Sequence, residues 1–170
     1  MSFTKPLNLL YLPLSAVQDV QQRGLVLELQ AAGTVIAAPA VTGRPIGVAY
    51  MTTADPLFQG VAGTPHAVPG HLLAYQLGVE IGIVREGVVT VPKTAAAITC
   101  GDIVGMFNSG TAGQVATYTP GAWVGAVNAA QIKVNVERAA TIVGVALESQ
   151  GLNTTEIKIL LTIHNFTIPG

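Results

Sequence analysis

Glu156-Ile157-Lys158-Ile159-Leu160-Leu161-Thr162-Ile163 carries the clearest structural signal in the chain. Residues 157, 159, 161 and 163 are all aliphatic, while 156, 158 and 162 are polar and 160 breaks the rule. A period of two places the aliphatic set on one face of a β-strand. The preceding Ser149-Gln150-Gly151-Leu152-Asn153-Thr154 is a polar, Gly-containing link. Before it comes another β-branched run, at 141–148, so the C-terminal part reads as a hairpin.

Working outward, the same grammar recurs. Short β-branched runs cut by Gly, Pro, Asn and Thr predict strands at 25–29, 34–38, 46–51, 79–85, 88–91, 103–107, 122–127, 132–136, 141–148 and 156–164. Gly101-Asp102 stands immediately before Ile103-Val104 and predicts a tight turn feeding a strand. Helical patterning is scarce. One short helix is expected over 14–22, with Ser15 as its cap and Gly24 as its stop. So many short strands argue for an all-β fold, a small antiparallel barrel or sandwich. Pro45-Ile46-Gly47-Val48-Ala49 is echoed by Ile142-Val143-Gly144-Val145-Ala146, a candidate structural repeat.

The domain organisation follows from length and irregularity. The chain has 170 residues, enough for one domain with a core of its own. Residues 1–24 read as an N-terminal arm or a first strand, and 25–170 as a single β-rich domain. Residues 52–77 contain Pro56, Pro65 and Pro69 and read as one long loop, which in a compact domain usually has a task. Phe3, Leu7, Leu9, Leu10, Tyr11 and Leu12 form a dense apolar stretch that Pro6 and Pro13 keep from being a continuous helix. They are candidate partner-binding residues.

Charge is where the composition departs from an ordinary soluble domain. Only 10% of residues are Asp, Glu, Lys or Arg, against about 25% as the usual share. Mean hydropathy is +0.54. No charged residue falls between Asp55 and Glu80, between Asp102 and Lys133, or after Lys158. No apolar run is long enough for a membrane helix, and the N-terminal stretch lacks the small residues of a signal-peptidase site. Large neutral surfaces usually mark contact with other subunits. Tyr118 and Trp123 lie in the second neutral stretch and join the candidate partner-binding set. The net charge of −1 gives no electrostatic footprint for nucleic acid or anionic lipid.

Residues able to do chemistry are few and scattered. His66 and His71 are separated by Pro69-Gly70, with no Cys, Asp or Glu beside them to complete a metal site. They read as loop histidines, and His164 as structural. Cys100 is the one cysteine, so no internal disulfide exists. Its setting, Ile98-Thr99-Cys100-Gly101-Asp102, reads as a turn and not as a nucleophile site. Glu80, Glu86, Glu137 and Glu148 show no acid–base pairing. No phosphate-cradling glycine motif is present. The expectation is therefore no catalytic residue, no metal, no cofactor and no small-molecule substrate.

One resemblance bears on function. Val88-Val89-Thr90-Val91-Pro92-Lys93 leads into Ala95-Ala96-Ala97 and then Gly101-Asp102-Ile103-Val104. Gly144-Val145-Ala146-Leu147-Glu148 and an aliphatic last strand close the chain, and Pro45 to Ala49 gives a matching earlier segment. In this order the segments resemble the phage structural cement protein family, whose fold is similar to that of lambda-type head decoration proteins. The resemblance spans 45–49 and 77–163, with no counterpart for 115–138. It implies a non-enzymatic virion component, made in the bacterial host cytoplasm, that sits on the outer capsid surface. Its partners would be the major capsid protein and further copies of itself, most often as a trimer. A tail or receptor-binding component, or a trimeric β-barrel enzyme, are the alternative readings.

Overall fold

The computed structural model describes residues 14–15, 20, 22–30, 34–50, 80–121 and 128–163. The strands are β1 (Leu14–Ser15), β2 (Val26–Leu29), β3 (Val35–Ala37), β4 (Pro45–Ala49), β5 (Glu80–Ile81), β6 (Ile83–Val84), β7 (Glu86–Pro92), β8 (Ile103–Gly105) and β9 (Ala116–Thr117). The helix α1 (Ala129–Ala139) follows, then β10 (Ile142–Ala146) and β11 (Glu156–Thr162).

Two antiparallel sheets make up a sandwich. The larger has the order β7-β11-β10-β8-β9 and the smaller β3-β2-β4-β6, while β1 and β5 form a separate two-stranded ladder. The sheets do not close into a barrel. The chain passes from β6 to β7 through Arg85 alone, turning from one sheet into the other. The segment 113–115 also ties the two together. Gly113 N–H donates to Ala38 and its carbonyl accepts from Val26, while Val115 exchanges bonds with Pro92 and Thr94.

The alternation read from 156–163 places Ile157, Ile159 and Leu161 in the interior. β11 pairs with β7 over its whole length, from Glu156↔Pro92 to Thr162↔Glu86. That register sets Ile157 beside Val91 and Ile159 beside Val89, all buried. Val26, Ala38, Val48 and Val84 of the smaller sheet meet them from the other side, with Ile98, Val104, Met106 and Val143 filling the remainder. Each fully buried aliphatic side chain of this kind contributes roughly 1.5–3 kcal/mol.

The smaller sheet is buried on both faces. Val26 and Val48 point into the sandwich, whereas Leu27, Val35, Ala49 and Ile83 form a second buried cluster with Val20. This separates the two echoed strands. In β4, Val48 faces the sandwich and Ala49 faces away. In β10, Ala146 faces the sandwich and Val145 faces out. Pro45–Ala49 and Ile142–Ala146 are both strands, but the same sequence step points to opposite faces, so they are not equivalent repeats.

Two local expectations give way. Residues 132–136, expected as a strand from their β-branched run, lie inside α1. Asn128 caps that helix by accepting the Gln131 N–H at 2.9 Å, the arrangement that satisfies an orphan first-turn donor. Arg138 in the last turn lies 4.3 Å over the Phe107 ring. No residue of α1 is fully buried, so no packed face of a sheet holds its alternating pattern in extended form. Likewise Leu14 and Ser15 belong to the β1–β5 ladder, and Val20 and Gln22 are not helical, while the rest of the helix expected over 14–22 lies outside the described residues. The strand expected at 122–127 and the loop at 52–77 lie outside the described residues.

Candidate interaction surface

Two linking loops meet at one end of the larger sheet. β7 and β10 end there, β8 and β11 begin there, and the linking loops 94–102 and 147–155 lie side by side. Ile98 and Gln150 exchange backbone hydrogen bonds at 3.0 and 2.8 Å, Asn153 N–H donates to Ala95, and Cys100 N–H donates to Ser149 Oγ at 2.9 Å. The turn predicted at Gly101-Asp102 is present. Asp102 Oδ2 accepts the Thr99 N–H at 2.9 Å, and Gly101 takes a positive φ of 93°.

Lys93 fixes the pair of loops from below. Its side chain is 3% exposed, and Nζ donates to the carbonyls of Ala96 at 2.7 Å, Thr94 at 2.9 Å and Gly151 at 3.2 Å. The three N–H bonds of an ammonium are thereby all used. Burial pushes its pKa below the ordinary 10.5, while three carbonyl acceptors favour the charged form. Among the described residues no carboxylate pairs with it. The Pro92-Lys93 step thus has a structural meaning: the lysine at the end of β7 is a pin between two loops.

Glu148 holds the adjoining hairpin. Its Oε1 accepts the Lys158 backbone N–H at 3.0 Å and the Gln150 side-chain amide at 3.1 Å. The Gln150 bond, then the Lys158 N–H, hold the carboxyl below its ordinary 4.5, with desolvation opposing and the Lys158 charge assisting.

The loops carry two charged residues, Asp102 and Glu148, both half-buried near their ends. Residues 94–101 and 149–155 contain no Asp, Glu, Lys or Arg. Ala95, Ala96 and Ala97 are exposed, and Leu152 is 71% exposed. An apolar row crosses the outer face of the larger sheet, flanked on that face by Glu86, Glu156 and Lys158. Val88 stands opposite Leu160, Leu160 opposite Val145, and Val145 opposite Ile103, one apolar row over four strands. Beside α1, a shallow groove of about 270 Å³ is lined by Gly121, Gln131, Val134, Asn135 and Arg138 among others.

Of the partner-binding residues expected from sequence, Tyr118 is half-buried and its N–H donates to Ile103 O at 2.8 Å, beside the apolar row. Phe3, Leu7, Leu9, Leu10, Tyr11, Leu12 and Trp123 lie outside the described residues, as do His66, His71 and His164. Cys100 is exposed. Among the described residues, no three His, Cys, Asp or Glu side chains gather as metal ligands, and no helix is long and apolar enough to cross a membrane. Sequence reasoning missed Lys93 and Leu152. An apolar residue in the middle of the polar turn 149–154 was the available signal for Leu152. Nothing local distinguishes Lys93 from a solvated lysine.

Comparison with protein families, with curated proteins and with solved structures finds no match to this chain.

Proposed function

We propose that this protein is a cement or decoration protein on the outer surface of a bacteriophage head, where it stabilises the expanded shell mechanically and carries out no catalysis. The observation that carries the reading is the surface. A chain with one charged residue in ten leaves Ile103, Leu147, Leu152, Leu160, Val134 and Ile132 between 38% and 71% exposed. Scattered exposed hydrophobes are ordinary, but a charge-poor surface carrying a row across four strands favours permanent contact with protein subunits. The arrangement of the resembling segments supports the same reading. The Val-Pro-Lys strand, the Gly-Asp turn and its strand, the Gly-Val-Ala-Leu-Glu strand and the aliphatic last strand are neighbours in one sheet, β7-β11-β10-β8. Binding only the assembled shell shifts the assembly equilibrium by mass action, at no chemical step. The partners are the major capsid protein and other copies of this chain, as a trimer.

The test is negative-stain imaging of the intact particle with an antibody against this protein. Label over the head surface is the expected result. Label on the tail, or none on any particle, overturns the reading. Sedimentation of the purified protein, together with the copy arrangement seen on the head, tests the trimer. A monomer in both settings removes it.

A further inference from the structure

We infer that the groove beside α1 is a binding site for a carboxylate, presented as an Asp or Glu side chain by a protein partner and held by the Arg138 guanidinium.

Arg138 is fixed in place, yet its donors are not used. Its guanidinium stacks 4.3 Å over the Phe107 ring, which ties the last turn of α1 to the loop after β8. Stacking occupies a face of the group and leaves the N–H edge. Nε is buried with no hydrogen-bond acceptor. Among the described residues no carboxylate pairs with Arg138, and its sequence neighbour Glu137 lies 4.0 Å from Lys133 instead. The carbonyl end of the helix does not take these donors either. Ala140 N–H donates to Val136 O, and Thr141 gives both its N–H and its hydroxyl to Arg138 O. A buried donor without an acceptor is destabilising, and more so on a charged group. The acceptor that satisfies it arrives from outside the described fold.

The walls of the groove define that acceptor. Gln131, Asn135 and Arg138 follow at i, i+4 and i+7 and share a face of α1. Gly121 packs on Asn135 Oδ1 so closely that no Cβ fits there, and Arg138 Nη1 stands 3.0 Å from where it would be. Ala130 and Val134, both exposed, add an aliphatic border. One guanidinium edge matches one carboxylate in bidentate form. A phosphate carries more charge than a single cation offsets, and among the described residues no second Lys or Arg lines the groove. The space is about 270 Å³ and shallow, below the small-molecule range of about 300–1,000 Å³. It takes one acidic side chain with its stem against Val134, which points to a protein segment as the source. The negative end of the helix dipole disfavours an anion here, so binding depends on Arg138 itself.

The experiment uses the full-length protein and a capped tripeptide with a central glutamate. The comparison probes are its glutamine counterpart, sodium acetate and inorganic phosphate. NMR follows the Arg138 Nε–H signal and thermal melting follows folding. The glutamate peptide is expected to shift that signal saturably, with the other three probes at least tenfold weaker. Arg138→Gln is expected to abolish binding, and Arg44→Gln, at an exposed position elsewhere, to leave it unchanged. Val134→Glu places a carboxylate one turn before Arg138, where it pairs with the guanidinium and blocks the peptide without lowering the melting temperature. That variant decides the matter if Arg138→Gln fails to fold. A glutamate peptide that leaves the Arg138 signal unmoved, a glutamine peptide that binds equally, or a Val134→Glu protein that binds as wild type does overturns the site. Phosphate binding as tightly as the peptide overturns the carboxylate assignment, and acetate doing so overturns the protein source.

Discussion

Gly144 of β10 lies against the carbonyl oxygen of Leu160 on β11 so closely that no Cβ fits between them. The contact sits in the middle of the larger sheet, where β10 is paired on one side with β11 and on the other with β8. Gly144→Ala is therefore expected to force the two strands apart and to destabilise the protein by about 2–3 kcal/mol, the range of core overpacking. Urea unfolding monitored at the single Trp123 measures this. An unchanged midpoint would mean that β10 and β11 separate at little cost.

Lys93→Met keeps the aliphatic stem and removes the ammonium. The carbonyls of Thr94, Ala96 and Gly151 lose that donor, and Gly151 keeps the Thr154 hydroxyl. The expected loss is about 1.5–3 kcal/mol, the worth of hydrogen bonds to a charged group. Hydrogen exchange should localise the change, with the Ile98 and Gln150 amides losing protection first. A variant as stable as wild type would show that the pin is dispensable.

The Glu148 carboxylate supplies a pH dependence with a definite sign. Its folded pKa lies below 4.5, so the folded state binds fewer protons than the unfolded chain in that window. The stabilisation is complete above the unfolded pKa and is lost as the pH falls through the folded one. Glu148→Gln is expected to be less stable than wild type at neutral pH, with a flatter decline in stability below pH 4.5. Melting curves taken from pH 7 downward compare the two, and parallel curves would remove Glu148 as a source of the acid sensitivity.

Val41 adopts a φ of 74°, a left-handed conformation that a β-branched residue rarely takes, and it is 46% exposed. Its N–H donates to Met106 O at 3.1 Å, which helps hold it there. Asparagine tolerates this region far better. Val41→Asn is expected to raise stability by about 1 kcal/mol, the scale of strain at such sites. A fall in the melting temperature would mean that the Val41 side chain has packing that outweighs the strain.

The sequence by itself determined the all-β class, the alternation of inward and outward residues along β11, and the turn at Gly101-Asp102. Each depends on interactions between residues a few positions apart, which a period of two or a turn dipeptide records directly. It also marked the surface as charge-poor, which is a matter of counting. Tertiary structure decided the rest. β11 lies between β7 and β10, an order set by pairing between strands more than sixty residues apart and by no local pattern. The run Ile132-Lys133-Val134-Asn135-Val136 looks like a strand, yet it is part of a helix that Asn128 caps and that fully buries none of its residues. The echo of β4 in β10 points its valines to opposite faces, because the sheet that each strand joins chooses the face. Lys93 becomes a buried pin only because Gly151, distant in sequence, brings its carbonyl to the ammonium. Long-range pairing sets which groups leave water, and that is the part of the free energy a linear reading does not contain.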